Sequence, residues 1–208
     1  MVQKESDEPK RRGRPRAYDP QVALARAAEV FWKAGYAGTS LDDLAEATGM
    51  NRPSLYAAFG DKRDLYLKTL EHYRDESRAL ARAAMADNPT LHVLLTRFYA
   101  VALDLYLAGE DQPRGCYSIG TAATVAAVDT DVQAFLAQSM HATDEFLTGQ
   151  IRKAKERGEL KRDADPVALG YLATATLHTL AIRSRAGLPR KELDDLAAAA
   201  VNVICAKK

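Results

Sequence analysis

Two cysteines in 208 residues, Cys116 and Cys205, stand alone, without a CxxC pair or a Cys/His cluster. That excludes a disulfide framework and a structural zinc site, and it suits a reducing compartment. Histidine is as sparse. His72, His92, His141 and His178 lie far apart, none in an HExxH pattern, so no metal-hydrolase constellation is present. No stretch alternates apolar and polar residues as a half-buried strand would, and without a strand a Gly-rich phosphate loop has no place to follow one. The longest uncharged run, Pro166 to Ile182, has 17 residues, three of them threonine. It falls short of the roughly 20 apolar residues of a membrane span. The N-terminus lacks the apolar stretch of a signal peptide. The expectation is a soluble cytoplasmic protein with no membrane partner and no enzymatic activity, cofactor or metal.

What is present is a helical chain with an uneven charge distribution. Net charge is only +1, yet five of the seven residues from Lys10 to Arg16 are basic. Residues 1–18 read as a disordered basic arm, interrupted by Pro9, Gly13 and Pro15. Asp19-Pro20 then starts a helix, Asp as N-cap and Pro at the first helical position, where its missing N–H costs nothing. Gly35 ends it. Thr39-Ser40 caps a short second helix that Gly49 stops, and Asn51 caps a third reaching about Phe59. Longer helices follow from Asp61, from Leu91, from Asp131 to about Arg157, from Pro166 to about Arg185, and after Pro189, with a short one within Cys116 to Val128. The fold class is all-α, about nine helices. An N-terminal helix-turn-helix domain (19–64) precedes a C-terminal helical bundle (65–208).

Three short helices with a glycine turn between the second and third are the arrangement in which the third helix enters the major groove of DNA. The residues make this specific. GTSLDDLAEATGMNRPSLYAAFGDKRDLY, with its Gly-x-Thr/Ser opening, Gly49-Met50 turn, Leu55-Tyr56, Phe59 and Lys62, resembles the DNA-binding signature of the tetracycline-repressor family over about Ala17 to Leu70. The resemblance implies a homodimeric transcriptional regulator, by family habit a repressor, that binds a palindromic double-stranded operator and is released from it by a small molecule. Asn51 and Pro53 depart from the Ser and Gly of many members, so base contacts are not carried over.

By its own chemistry Arg52 is the candidate for base readout, because a guanidinium bonds two guanine acceptors at once. Asn51 and Ser54 share that end of the helix, where Asn51 either caps or contacts a base. The resemblance implies phosphate contacts for Tyr56 and Lys62. Thr39 or Ser40, at a helix N-terminus, is a third anchor. Arg14 and Arg16 either enter a narrow minor groove or add nonspecific attraction.

For the C-terminal domain, the resemblance implies a dimer interface formed by the last two helices, with Leu172, Leu180, Leu193, Leu196, Ala200 and Ile204 as candidates, or else as core of one subunit. It also implies a ligand pocket among the central helices, for which Tyr99, Leu103, Tyr106, Cys116, Tyr117, Phe135 and Met140 are candidates, each with ordinary core packing as the competing role. Cys116 follows Arg114-Gly115; a helix start and a nearby arginine would make its thiol reactive, giving a redox or electrophile sensor. A DNA-binding dimer that answers to no ligand is a further alternative.

Overall fold

The computed structural model describes residues 18–84, 86–109 and 113–206, and all their regular structure is helical. The basic arm, with Arg14 and Arg16, lies outside them. Helix α1 spans Pro20–Gly38, with the Asp19 carboxylate accepting from the Gln21 amide at 2.8 Å. Gly35 does not end it outright: at φ 72° it kinks the helix, and one more turn runs to Gly38. Helices α2 (Leu41–Thr48) and α3 (Arg52–Phe59) follow. Gly49 joins them at φ 69°, a left-handed turn that a Cβ would strain.

Helix α4 (Lys62–Ala84) is long and leads to α5 (Leu91–Leu107). A short helix, α6, starts as a π-helical turn, Ser118–Ala122, and finishes as one α-turn, Ala123–Val125. Helices α7 (Thr130–Glu156), α8 (Pro166–Arg185) and α9 (Arg190–Ile204) complete the bundle. Asp129 and Asp165 cap α7 and α8 through their carboxylates.

Two apolar cores form. One gathers α1, α2 and α3 onto the first half of α4, and continues through Tyr117, Val125 and Val132 to Phe135. The other lies among α5, the second half of α7, α8 and α9. Leu105 and Cys116 pack against both. The core of the three-helix head thus extends past residue 64 along α4 as far as Tyr73.

The expected interface residues divide. Leu180, Leu193 and Ile204 are turned into their own subunit, at most 2% exposed, because α9 lays that face on α5 and α8. Leu196 and Ala200 are half-buried, and Leu172 is exposed. The outward apolar stripe runs instead through Val167, Tyr171, Leu172 and Ile182 of α8 and Val203 of α9.

Candidate nucleic-acid interface and pocket

The outward face of α3 carries Arg52, Pro53, Tyr56 and Ala57, while Leu55 and Phe59 anchor its inner face in the head. Asn51 is the cap: its side-chain oxygen accepts from the Ser54 amide at 2.9 Å. That leaves Arg52 as the long side chain at the exposed end. Its guanidinium is held in a bidentate pair by Asp42 of α2, Nε to Oδ1 at 2.8 Å and Nη2 to Oδ2 at 2.6 Å. The pair lowers the Asp42 pKa, through the hydrogen bond first and the charge second, and raises that of Arg52. Both side chains are more than half exposed, so water screens the attraction and a guanine edge can compete for the guanidinium.

The proposed anchors at the start of α2 are not equivalent. Thr39 is 2% exposed, its hydroxyl donating to the Gly35 carbonyl at 2.8 Å, so its side chain supports the kink of α1 and does not face outward. Ser40 is exposed but belongs to a capping box with Asp43, accepting from the Asp43 amide at 3.1 Å. Lys62 is no freely solvated lysine. Its ammonium sits 4.5 Å from the centre of the Tyr36 ring, a cation–π contact that fixes it at the first residue of α4. Tyr56 of α3, on the same head, is 48% exposed.

The head is welded to the rest of the chain by buried hydroxyls and an ionic clamp. Thr69 of α4 donates to the Tyr66 carbonyl at 2.6 Å, so its oxygen is left to accept the Tyr117 hydroxyl proton at 2.8 Å. Thr121 of α6 donates to the Tyr117 carbonyl at 2.8 Å and accepts from the Tyr66 hydroxyl at 2.8 Å. Burial pushes the Tyr66 phenol up to about 12, and Tyr117 well above its ordinary value, so both remain protonated donors. Phe31 and Trp32 of α1 pack edge-on against Tyr66 and Tyr73 of α4, centroids 5.0 and 5.1 Å apart. Arg63 reaches across to both Asp129, at 2.5 and 3.0 Å, and Asp131, at 2.5 Å, tying the start of α4 to the start of α7. Those bonds hold the Asp129 carboxyl down to about 2.

Further along, α4, α5, α7 and α8, with Cys116 and the start of α6, line a solvent-open cavity of about 380 Å³. Of the expected lining residues, Tyr106, Cys116 and Met140 are there. Tyr99, Leu103, Tyr117 and Phe135 are not: all are at most 6% exposed and serve as packing. Tyr99, for example, donates to the Ala173 carbonyl at 3.0 Å and ties α5 to α8. The Cys116 sulfur accepts from the Tyr73 hydroxyl at 3.4 Å. Arg114 is not beside the thiol but stacked 4.4 Å from the Trp32 ring and paired with Glu29, so the arginine part of the reactivity argument falls away. The sequence reading missed Arg74, Arg78, Arg82, Phe98, Phe146 and His178, which also line the cavity.

Comparison with known proteins places these features. Residues 23–69 match the family described as bacterial regulatory proteins, tetR family, and residues 95–200 match the tetracyclin repressor-like C-terminal domain. The HTH-type transcriptional repressor ComR of Escherichia coli K12 is 31% identical over 190 residues, 90% of each chain. The regulator YezE of Bacillus subtilis 168 is 33% identical over 168 residues, covering 79% of this chain and 86% of its own.

The chain belongs to the tetracycline-repressor family.

It is therefore a DNA-binding transcriptional regulator, of a family that consists of regulators and not of enzymes. The tetracycline-repressor fold extends over nearly the whole chain. The regulator CifR, whose structure was solved in complex with 26-base-pair double-strand operator DNA, is 29% identical and superposes with a TM-score of 0.82 over 91% of this chain and 98% of its own. The N-terminal match ends inside α4, so it takes in Lys62, Arg63, Tyr66 and Thr69 along with the three head helices. The C-terminal match takes in Phe98, Cys116, Met140 and His178. Arg74, Arg78 and Arg82 fall between the two matched stretches. No helix among the described residues is long and apolar enough to cross a membrane.

Proposed function

We propose that this regulator is a cytoplasmic repressor that binds a palindromic operator as a homodimer and leaves it when a small molecule enters the cavity. On this reading residues 19–64 read DNA, while 65–208 bind ligand and dimerise. Arg52 leaves Asp42 for a guanine edge, with Ser54, Tyr56 and Lys62 set against the backbone and Pro53 shaping the start of α3. Arg14 and Arg16 of the arm supply minor-groove or nonspecific attraction. The α8–α9 stripe through Tyr171, Leu172 and Ile182 pairs with its copy, so that two α3 helices lie one DNA turn apart.

The observation that carries the proposal is the double use of α4. Its first half belongs to the core of the head, and its second half, from Tyr73 onward, forms a wall of the cavity. A ligand that fits one setting of that wall better than another shifts the population of head positions. The test is a footprint and binding isotherm on the DNA upstream of its own gene, at several salt concentrations. A discrete palindromic footprint, with random DNA bound at least about a thousandfold more weakly, is expected. Equal binding to random DNA would instead mark a nonspecific, ligand-independent DNA-binding dimer.

A second reading is favoured by the place of Cys116, on the cavity wall with the Tyr73 hydroxyl on its sulfur. An electrophile such as an α,β-unsaturated carbonyl would add there: the S–C bond forms at the β-carbon and the thiol proton passes to the α-carbon. Cys116→Ser separates the readings, because it abolishes derepression by such an electrophile and leaves reversible ligands effective.

A further inference from the structure

The cavity wall also indicates the chemistry of its occupant, an argument that rests on the ligand-release reading above. Among its lining residues Arg74, Arg78, Arg82 and His178 are basic, and none is Asp or Glu. The three arginines stand at four-residue spacing on α4 and so form one row along the cavity. Like charges so spaced repel each other and disfavour the helix. Their compensation is incomplete. Asp75 lies 3.3 Å from Arg74 and 4.0 Å from Arg78, one carboxylate for two guanidiniums. Among the described residues no ion pair of Arg82 is found within 4 Å.

The rest of the wall is of the opposite character. Phe98, Leu136, Phe146 and Leu177 give it an apolar interior. Two hydroxyls, Ser77 Oγ and Ser139 Oγ, are buried in that wall without a hydrogen-bond partner; Ser77 lies near the Tyr73 hydroxyl but lacks bonding geometry. Buried polar groups are ordinarily satisfied, and these two would be by oxygens of a bound molecule. Desolvation lowers the His178 pKa against the pull of Asp144 and so favours its neutral imidazole.

We propose that the cavity takes an amphipathic organic anion: a carboxylate head held by the arginine row, chiefly Arg78 and Arg82, and an apolar body among Phe98, Phe146 and Leu177. The volume of about 380 Å³ is that of a small-molecule site, matched to a single free acid.

Three probes of one chain length separate charge from hydrophobicity: decanoate, decanol and decyltrimethylammonium, each below its micelle concentration, titrated calorimetrically into the full-length protein. Arg78→Gln/Arg82→Gln is tested alongside; both side chains are exposed, so the fold is retained. Decanoate should bind once per chain and about tenfold or more tighter than decanol, since charge-assisted bonds to guanidinium are the strong ones. The cation should not bind. The double variant should bring decanoate down to the decanol affinity and leave decanol unchanged. Equal affinity for acid and alcohol, binding of the cation, a preference that survives the double variant, or no binding of any probe would each overturn the proposal. Operator release, followed by fluorescence anisotropy, keeps the two readings apart. Decanol that displaces DNA as well as decanoate leaves ligand release standing and removes the anion site. Selective decanoate binding without release does the reverse.

Discussion

Thr69→Val should destabilise this protein more than Tyr117→Phe, although each removes one member of the same hydrogen bond. The difference follows from where the protons point. Thr69 gives its proton to the Tyr66 carbonyl and accepts that of Tyr117. In Tyr117→Phe the threonine keeps its own bond and no donor is stranded, so the loss is that of one neutral hydrogen bond, about 1 kcal/mol. In Thr69→Val, nearly isosteric, the Tyr117 hydroxyl is left fully buried with no acceptor, and the cost rises to about 2–3 kcal/mol. The double variant strands nothing, so it should be less destabilised than the two single losses summed, by about 1–2 kcal/mol. Urea unfolding at one fixed protomer concentration measures all four proteins, since a dimer's apparent stability depends on that concentration. Equal effects of the two single changes, with an additive double, would refute the reasoning: the Tyr117 hydroxyl would then be reaching water.

On operator DNA, Arg52→Ala should lose about ten- to a hundredfold in affinity and relax preference at one position per half-site. Asp42→Asn should tighten binding, because it frees the guanidinium and removes a carboxylate near phosphates; unchanged sequence preference in Arg52→Ala, by anisotropy on substituted operators, would reassign Arg52 to the Asp42 pair alone. Tyr171→Asp and Ile182→Asp place charge on the outward stripe of α8, where the residues are 58% and 59% exposed in the single chain. They should give monomers by sedimentation at micromolar concentration, with helicity kept; a persistent dimer would move the interface elsewhere. For His178, whose pKa burial lowers from 6.5, the folded form resists protonation. Its contribution is therefore present above about pH 6.5 and is lost as the pH falls through the lowered folded value. The urea midpoint should fall between pH 7 and 5 in wild type and fall less in His178→Gln; identical profiles would remove His178 as the cause.

The head was legible because its signals are local. Asp19, Ser40 and Asn51 each cap the helix that begins beside them, and Gly49 makes the turn that its lack of a side chain permits. Asp165 does the same for α8, whereas the start of α7, expected at Asp131, is capped earlier, by Asp129. The cavity was less legible because periodicity reports which side chains face inward, and not which inner space is left unfilled. Tyr99 and Tyr106 lie on the same buried face of α5, yet only Tyr106 meets the cavity. The arginine row is visible in the sequence at 74, 78 and 82, but such a row also describes a solvated helix face until α7 and α8 are seen opposite it. Arg52–Asp42 and Arg63–Asp129 join residues 10 and 66 positions apart and leave no periodic mark.

The uneven attachment of α4 narrows how a bound molecule can reach the DNA. The half of α4 nearest the head is held to α1 by two aromatic contacts, and to α6 and the start of α7 by the Thr69 and Tyr66 hydroxyl bonds and by Arg63. A shift of this half of α4 against α1, α6 and the start of α7 would break several of these together. Beyond Arg74 no comparable hold is found among the described residues: Leu80 is 43% exposed, and Arg78 and Arg82 are exposed at the cavity rim. If the cavity binds a ligand as proposed, movement imposed there would travel along α4 as along a rod and turn the head about its joints with α6 and the start of α7. From Lys62 to Arg78 the rod is about 24 Å at 1.5 Å per residue, so a displacement of an ångström or two at the arginines becomes a rotation of a few degrees. A rotation of that kind leaves each head intact and alters only the separation of the two α3 helices in a dimer. On this argument a ligand would abolish binding to a palindrome while sparing the weaker binding of a single head to a half-site.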